Sequence, residues 1–166
     1  MSSSTAEVLS AAVLTASDSS AWGERADVSG HAVAEILKKR GFSVIASQIV
    51  PDDQAAIQKA IVGLAAKARL VVTTGGTGIA ERDVTPEATR AVCTRLIEGV
   101  AERMRFEGSK KTPLAALSRG ICGVRGKSVI LNLPGSPRGA TESLEAVIDL
   151  MPHALELLAG NTKHTG

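Results

Sequence analysis

The chain has 166 residues, 44% of them apolar, 22% charged and 2% aromatic, with a formal charge of +2. That length suits one domain whose core needs no disulfide staple, and two Phe, one Trp and no Tyr leave the core to Ala, Val, Leu and Ile. Scattered basic residues argue against nucleic-acid binding, Cys93 and Cys122 without a CxxC pair argue against a zinc site, and no apolar run approaches the ~18 residues of a membrane span.

The N-terminus carries Glu7 and no basic stretch, so a signal peptide is not expected and a cytoplasmic location is. Val8 to Thr15 is a short apolar run read as a first strand, followed by a polar loop from Ser17 to Asp27. Ser29 is placed to cap a helix with apolar Val33, Ala34, Ile36 and Leu37, which Gly41 terminates in a left-handed conformation. Phe42 to Val50 reads as a second strand ended by Pro51. Asp52 or Asp53 caps the next helix, whose stripe is Ile57, Ile61 and Leu64. Leu70 to Thr74 is a third strand running into Gly75, Gly76, Thr77 and Gly78. Thr85 as N-cap, Pro86 at the first helical position and Glu87 in the first turn start another helix. Three strand–loop–helix units in succession predict right-handed crossovers and a largely parallel sheet with helices on both faces.

Leu96 to Glu107 reads as helix and Lys110 to Pro113 as a turn. Ile121–Val124 and Ser128–Asn132 form a hairpin through Arg125 and Gly126 and add antiparallel strands. Ser136 and Pro137 open a helix to about Leu150, and Pro152 separates it from a last short helix before Gly160. One domain over 1–160 with a disordered tail at 161–166 is expected.

In open sheets of this kind, ligands sit at the carboxyl ends of the strands. Ser17, Asp18, Asp52, Asp53, the segment Thr73 to Gly78 and the segment Leu133 to Pro137 all fall there. Three glycines in four residues expose backbone amides as an anion needs, or simply make a tight turn leaving a strand. No Gly-Lys-Ser/Thr follows, and Glu81 stands where the third glycine of a dinucleotide fingerprint belongs. Asp52 and Asp83 brought together beside such a loop would suit Mg²⁺; both residues also occupy ordinary turn and cap positions. Ser136 at a helix start suits a phosphate as well as a cap, and Arg82, Arg119 and Arg138 lie in or beside these loops. His31, His153 and His164 are isolated, Met104 and Met151 read as packing residues, and Cys93 and Cys122 as small apolar ones in a helix and a strand.

SDSS (17–20), DVSG (27–30), VPDD (50–53), TTGGTGIAERDVTPEAT (73–89), ERMR (102–105), LSRG (117–120) and NLPGSP (132–137) together resemble the MoaB/Mog family of molybdenum-cofactor biosynthesis, the molybdopterin adenylyltransferases. TTGGTG followed by RDVTPEAT is the specific element; Glu98-Gly99-Val100 departs from a common Pro-Gly-Phe or Pro-Gly-Leu. The resemblance implies a three-layer α/β/α sandwich with a mostly parallel mixed sheet, the molybdopterin-binding fold, commonly trimeric. It implies transfer of AMP from ATP to the terminal phosphate of molybdopterin, with Asp52 and Asp83 as the catalytic carboxylates that hold Mg²⁺. It also implies nucleotide and phosphate contacts at Thr74, Gly75, Gly76, Thr77, Gly78, Ser17 and Asp18, and substrate contacts at Pro134, Gly135, Ser136 and Arg119. A downstream molybdenum-insertion enzyme is an expected partner; neither nucleic acid nor membrane is. Some relatives bind without turnover, which makes a molybdopterin carrier the alternative.

Overall fold

The computed structural model describes residues 9–161. A six-stranded sheet forms its middle layer, in the order β2-β1-β3-β6-β5-β4. The strands are β1 (Ser10–Ala16), β2 (Ser43–Val50), β3 (Leu70–Thr74), β4 (Arg95–Leu96), β5 (Cys122–Arg125) and β6 (Ser128–Leu133). β2, β1, β3 and β6 are parallel neighbours; β5 runs antiparallel to both β6 and β4. The three-layer α/β/α architecture and the mixed sheet are those expected from the sequence.

Every residue of β1, β3 and β6 is buried, because strand side chains alternate between two covered faces. On one face Ala11, Val13, Leu70, Val72, Val129, Leu131 and Leu133 pack against α2 (Val28–Lys39), α5 (Glu98–Ser109), α6 (Pro137–Val147) and α7 (Met151–Leu158). On the other, Ala12, Leu14, Ala16, Val71 and Ile130 meet α3 (Gln54–Ala65) and α4 (Thr85–Val92). Small alanines in β1 let helices approach closely from both sides. The predicted stripe Ile57, Ile61 and Leu64 is buried in that second core. Cys122 belongs to the first core and Cys93 packs against the second, so the two thiols lie on opposite faces.

Several local expectations are corrected. The loop at 17–27 contains a one-turn helix, α1 (Asp18–Ala21), because Ser17 accepts a hydrogen bond from the Ser20 amide. Asp27 rather than Ser29 caps α2, its Oδ1 accepting from the Gly30 amide at 2.9 Å. Val84 rather than Thr85 is the N-cap of α4. The expected helix at 96–107 begins at Glu98, because Thr94 and Ile97 donate to Val124 and Cys122 and draw Arg95–Leu96 into the sheet edge. Cys93 ends α4 rather than lying inside a helix. After Lys110 the chain enters a 3₁₀ turn at Pro113–Leu117. The helix expected to reach Leu150 stops at Val147 and passes through a 3₁₀ turn at Ile148–Leu150; Pro152 has no N–H to bond four residues back. Asn161, expected in a disordered tail, donates its amide to the Glu156 carbonyl; residues 162–166, including His164, lie outside the described residues, as do 1–8.

The connections position the site. From β1 the chain goes outward to β2, then returns to β3 on the other side of β1. The order therefore reverses between β1 and β3, and the crevice at their carboxyl ends is where an open sheet binds ligands.

Candidate functional site

Ala16, Thr74 and Leu133 end three adjacent parallel strands, so the loops that follow them meet. The Gly75 amide donates to the Leu133 carbonyl at 3.1 Å. Gly75 and Gly76 have φ of +92° and +71°, a region that only glycine enters freely. A Cβ on Gly75 would collide with the Ala16 carbonyl oxygen, and one on Gly135 would lie 3.2 Å from the Gly75 Cα. The two glycine-bearing loops thus touch through backbone. Among the described residues the Gly76, Thr77 and Gly78 amides find no backbone carbonyl to donate to, which leaves a cradle of N–H groups.

This junction borders a cleft of about 670 Å³. Ser17, Asp52, Thr74, Gly75, Gly76, Asp83, Gly135 and Ser136 all line it. Asp53 caps α3, its Oδ2 accepting from the Ala56 amide at 2.8 Å, and Asp52 is the member of the pair that faces the cleft. Ser136 caps α6 through the Gly139 amide.

A polar frame holds the carboxylates. Asp18 and Asp52 exchange bonds: the Asp18 amide donates to Asp52 Oδ2 at 3.0 Å, and the Asp52 amide to Asp18 Oδ1 at 2.9 Å. Arg82 grips the Asp18 carboxylate through Nε and Nη2 at 2.7–3.0 Å. That guanidinium holds the Asp18 pKa below the usual carboxylate value. Asp52 is shifted the opposite way: burial raises it first, and the charges of Asp18 and Asp83 raise it further. Asp83 Oδ2 accepts from the Ala80 amide at 3.1 Å. Arg119 braces the same loop, donating to the carbonyls of Gly78 and Asp83, both at 2.8 Å, and to the Glu87 carboxylate. The Arg119 guanidinium in turn lowers the Glu87 pKa.

A family model described as a probable molybdopterin binding domain matches residues 12–153. The molybdopterin adenylyltransferase of Helicobacter pylori (strain J99) is 42% identical over 153 residues, 90% of this chain and 87% of that protein. Among solved structures, the molybdopterin biosynthesis enzyme MoaB of Thermus thermophilus aligns with a TM-score of 0.86 and 50% identity, covering 92% of this chain and 97% of the other. The tungsten cofactor synthesizing protein MoaB of Pyrococcus furiosus aligns with a TM-score of 0.84 and 32% identity, covering 91% and 97%. The chain belongs to the MoaB/Mog family.

In this MoaB/Mog chain some expected contacts stand back from the cleft. Asp18, Thr77, Gly78, Pro134 and Arg119 are not among its lining residues. Asp18 is occupied with Arg82 and Asp52, Arg119 with the Gly78–Glu87 segment, and Pro134 lies beside Met104 and Arg105. Arg138 pairs with Glu142 one turn along α6. The cleft also contains residues for which the sequence predicted no ligand contact: Thr15, Ser20, Arg25, Asp27, Val28 and Ser29. The visible signal was Asp27 three residues before Gly30, the spacing of a capping carboxylate. Thr15 was hidden inside a strand, and only its position near the carboxyl end of β1 brings it to the cleft.

Proposed function

We propose that this protein is a cytoplasmic nucleotidyltransferase that moves AMP from ATP to the terminal phosphate of molybdopterin. The carrying observation is that Asp52 and Asp83 line one cleft with the left-handed Gly75–Gly76 turn. The H. pylori relative named molybdopterin adenylyltransferase supports the same reading.

The nucleophile needs little activation. A phosphate monoester has a second pKa near 6 and is largely dianionic at neutral pH. Its oxygen attacks the α-phosphorus of ATP, the bond from that phosphorus to the α–β bridging oxygen breaks, and pyrophosphate leaves with the electron pair. Repulsion between two polyanions is the obstacle, so catalysis rests on alignment and charge neutralisation. The Gly76 amide and the N-terminus of α6 at Ser136, both on the cleft wall, supply positive dipoles to phosphate oxygens. Asp18 and Arg82 hold the Asp52 carboxylate in register, and Arg119 does the same for the segment carrying Asp83.

The cleft suits Mg²⁺, because that ion takes one or two carboxylates together with substrate phosphates. Among the described residues no group of three or more acidic, His or Cys side chains forms a metal cage, and the burial and like charge around Asp52 leave negative charge for a cation to offset. Mg²⁺ held by Asp52 and Asp83 would neutralise triphosphate charge. A homotrimer, for which exposed Phe106, Leu114 and Leu117 supply apolar surface, and hand-over of the adenylylated product to a molybdenum-insertion enzyme complete the proposal.

Mg²⁺- and ATP-dependent pyrophosphate release with molybdopterin tests it; a carrier yields none. Asp83→Asn is expected to cut that release at least about 100-fold, the scale of losing a transition-state electrostatic contact, with molybdopterin binding retained. Parental turnover by the variant would remove Asp83 from the mechanism.

A further inference from the structure

Two motifs of the sequence, ERMR at 102–105 and LSRG at 117–120, contribute no residue to the lining of the cleft. They meet each other instead. Arg105 Nη1 donates to the Gly120 carbonyl at 2.9 Å and to the Ser118 carbonyl at 3.4 Å; that nitrogen carries two hydrogens, one for each oxygen. Among the described residues no backbone amide donates to either carbonyl, which leaves both to the guanidinium. The sequence sets up this contact. Arg105 and Gly108 lie three apart on one face of α5, where side chains are neighbours. A Cβ on Gly108 would lie 2.9 Å from the Ala115 Cβ, so the missing side chain lets the 3₁₀ turn at Pro113–Leu117 press against the helix. The chain leaving that turn thereby passes within reach of Arg105.

Between the two carbonyls stands Arg119, and it grips the loop that carries Asp83. Its amide donates to the Thr77 carbonyl at 2.8 Å, and its side chain to the carbonyls of Gly78 and Asp83 and to the Glu87 carboxylate. Residue 121 is fixed separately: its amide donates to Asn132 Oδ1 at 3.2 Å, and its carbonyl accepts from the Asn132 amide at 3.0 Å. Residues 118–120 therefore form a bridge from Arg105 to the loop. The bond inside that bridge, from the Gly120 amide to Ser118 Oγ, is long at 3.3 Å, so its shape depends on what holds it from outside. The loop needs such a brace, because residues 75–84 form neither helix nor strand and Ile79, Ala80, Glu81 and Arg82 are exposed.

We propose that Arg105 is a positioning residue for adenylyl transfer, acting on Asp83 through the 118–120 bridge and Arg119. This rests on the role proposed for Asp83 above. Without a donor at the Ser118 and Gly120 carbonyls, the backbone that aims the Arg119 side chain turns, and the loop loses its brace on that edge. A shift of about 1 Å in a reacting constellation costs about 100-fold in rate, so a brace outside the cleft has leverage on turnover.

Arg105→Met keeps an apolar stem in place and removes the donors. The first measurement on the full-length protein needs no turnover: tryptic cleavage of the native fold after Arg82, in the braced loop, against cleavage after Lys67, exposed in the turn before β3. We expect the Arg82 rate to rise about fivefold or more relative to Lys67. An unchanged ratio, whether neither rate moves or both rise together, overturns the proposal, since global destabilisation accelerates both. The second is a double-mutant cycle with Arg119→Ala, read as pyrophosphate release. We expect Arg105→Met to lower kcat about tenfold or more, the scale of one lost bond to a charged group, with the molybdopterin KM within about twofold. Added to Arg119→Ala it should cost less than about twofold more, because a residue acting through Arg119 is silent once that side chain is gone. Losses that multiply, or a parental kcat, refute the relay. Should Arg105→Met fail to fold, Arg105→Lys decides. Its ammonium, a point charge without the planar fork, is expected to lose about threefold in kcat while Arg119 is present and nothing further in its absence; no loss, or a multiplying one, refutes the relay equally. Failure of the adenylyltransferase reading shows separately, as absent pyrophosphate release by the parent protein, and the cleavage ratio then still decides whether Arg105 braces the loop.

Discussion

Replacing Gly75 by Ala tests whether the loop at the centre of the cleft is dictated by backbone geometry. Gly75 sits at φ +92°, and a side chain forced into left-handed backbone costs roughly 1–2 kcal/mol. The new methyl would also meet the Ala16 carbonyl oxygen. Ala16 belongs to a strand paired on both sides, so relief requires moving the sheet, and overpacking of that kind costs about 1–3 kcal/mol. The two contributions give a loss of about 2–5 kcal/mol against a typical domain stability of about 5–15 kcal/mol. With a urea slope of about 2 kcal/mol per molar, the unfolding midpoint falls by about 1–2.5 M. Two internal comparisons set the scale. Gly76→Ala meets a side-chain oxygen, Thr85 Oγ1, instead of a carbonyl; a side chain can rotate away, so its loss is smaller. Gly63→Ala lies inside α3 with nothing within 4 Å and stabilises by about 0.4–1 kcal/mol. Urea unfolding followed by circular dichroism measures all three. A Gly75→Ala midpoint equal to the parent's, or the same sign of change for Gly75 and Gly63, would refute the geometric reasoning.

Thr85 Oγ1 is buried and has no hydrogen-bond partner among the described residues; Thr85→Val, which keeps the shape and removes an orphaned hydroxyl, should stabilise by about 1 kcal/mol and raise Tm by about 2–4 °C. A fall in Tm by calorimetry would mean the hydroxyl is satisfied. Burial, with the Asp18 and Asp83 charges, raises the Asp52 pKa, so the folded protein binds that proton more tightly than the unfolded chain does. The ionised carboxylate therefore opposes folding at neutral pH, and the opposition fades as pH falls through the folded and then the unfolded value. Asp52→Asn should accordingly raise Tm at pH 7, with the gain shrinking toward pH 3; a gain that grows on acidification would reverse the assigned direction. Burial pushes the Cys93 thiol up to about 11 and the Cys122 thiol up to about 12, so iodoacetamide at about pH 8 should leave both unlabelled in the native protein and alkylate both in urea. Rapid native labelling by mass spectrometry would contradict that burial.

Local chemistry was legible in the chain. Continuous apolar runs announced β1, β3 and β6, the stripe Ile57, Ile61 and Leu64 announced α3, and Pro152 marked the break before α7, because each depends on spacing along a few neighbouring residues. Gly41, Gly75 and Gly76 adopt positive φ, two of them at a strand-to-loop exit where glycine clusters are expected. The order of motifs along the chain was enough for the family resemblance, and with it the fold class.

Tertiary structure decided what those motifs touch. Asp52 and Asp53 are equivalent as letters, and only the docking of α3 against the sheet turns Asp53 to its own helix and Asp52 to the cleft. Arg119 reads as a substrate ligand in sequence, yet it braces Gly78 and Asp83 because the segment following the 3₁₀ turn runs back beside the glycine loop. Thr15 and Asp27 are twelve residues apart and meet Thr74 only because β1 and β3 are paired. Propensity and periodicity report the few residues around a position. Which strands become neighbours, and hence which side chains share a cleft, depends on burying both faces of the sheet at once, a sum over long-range contacts that no single segment carries.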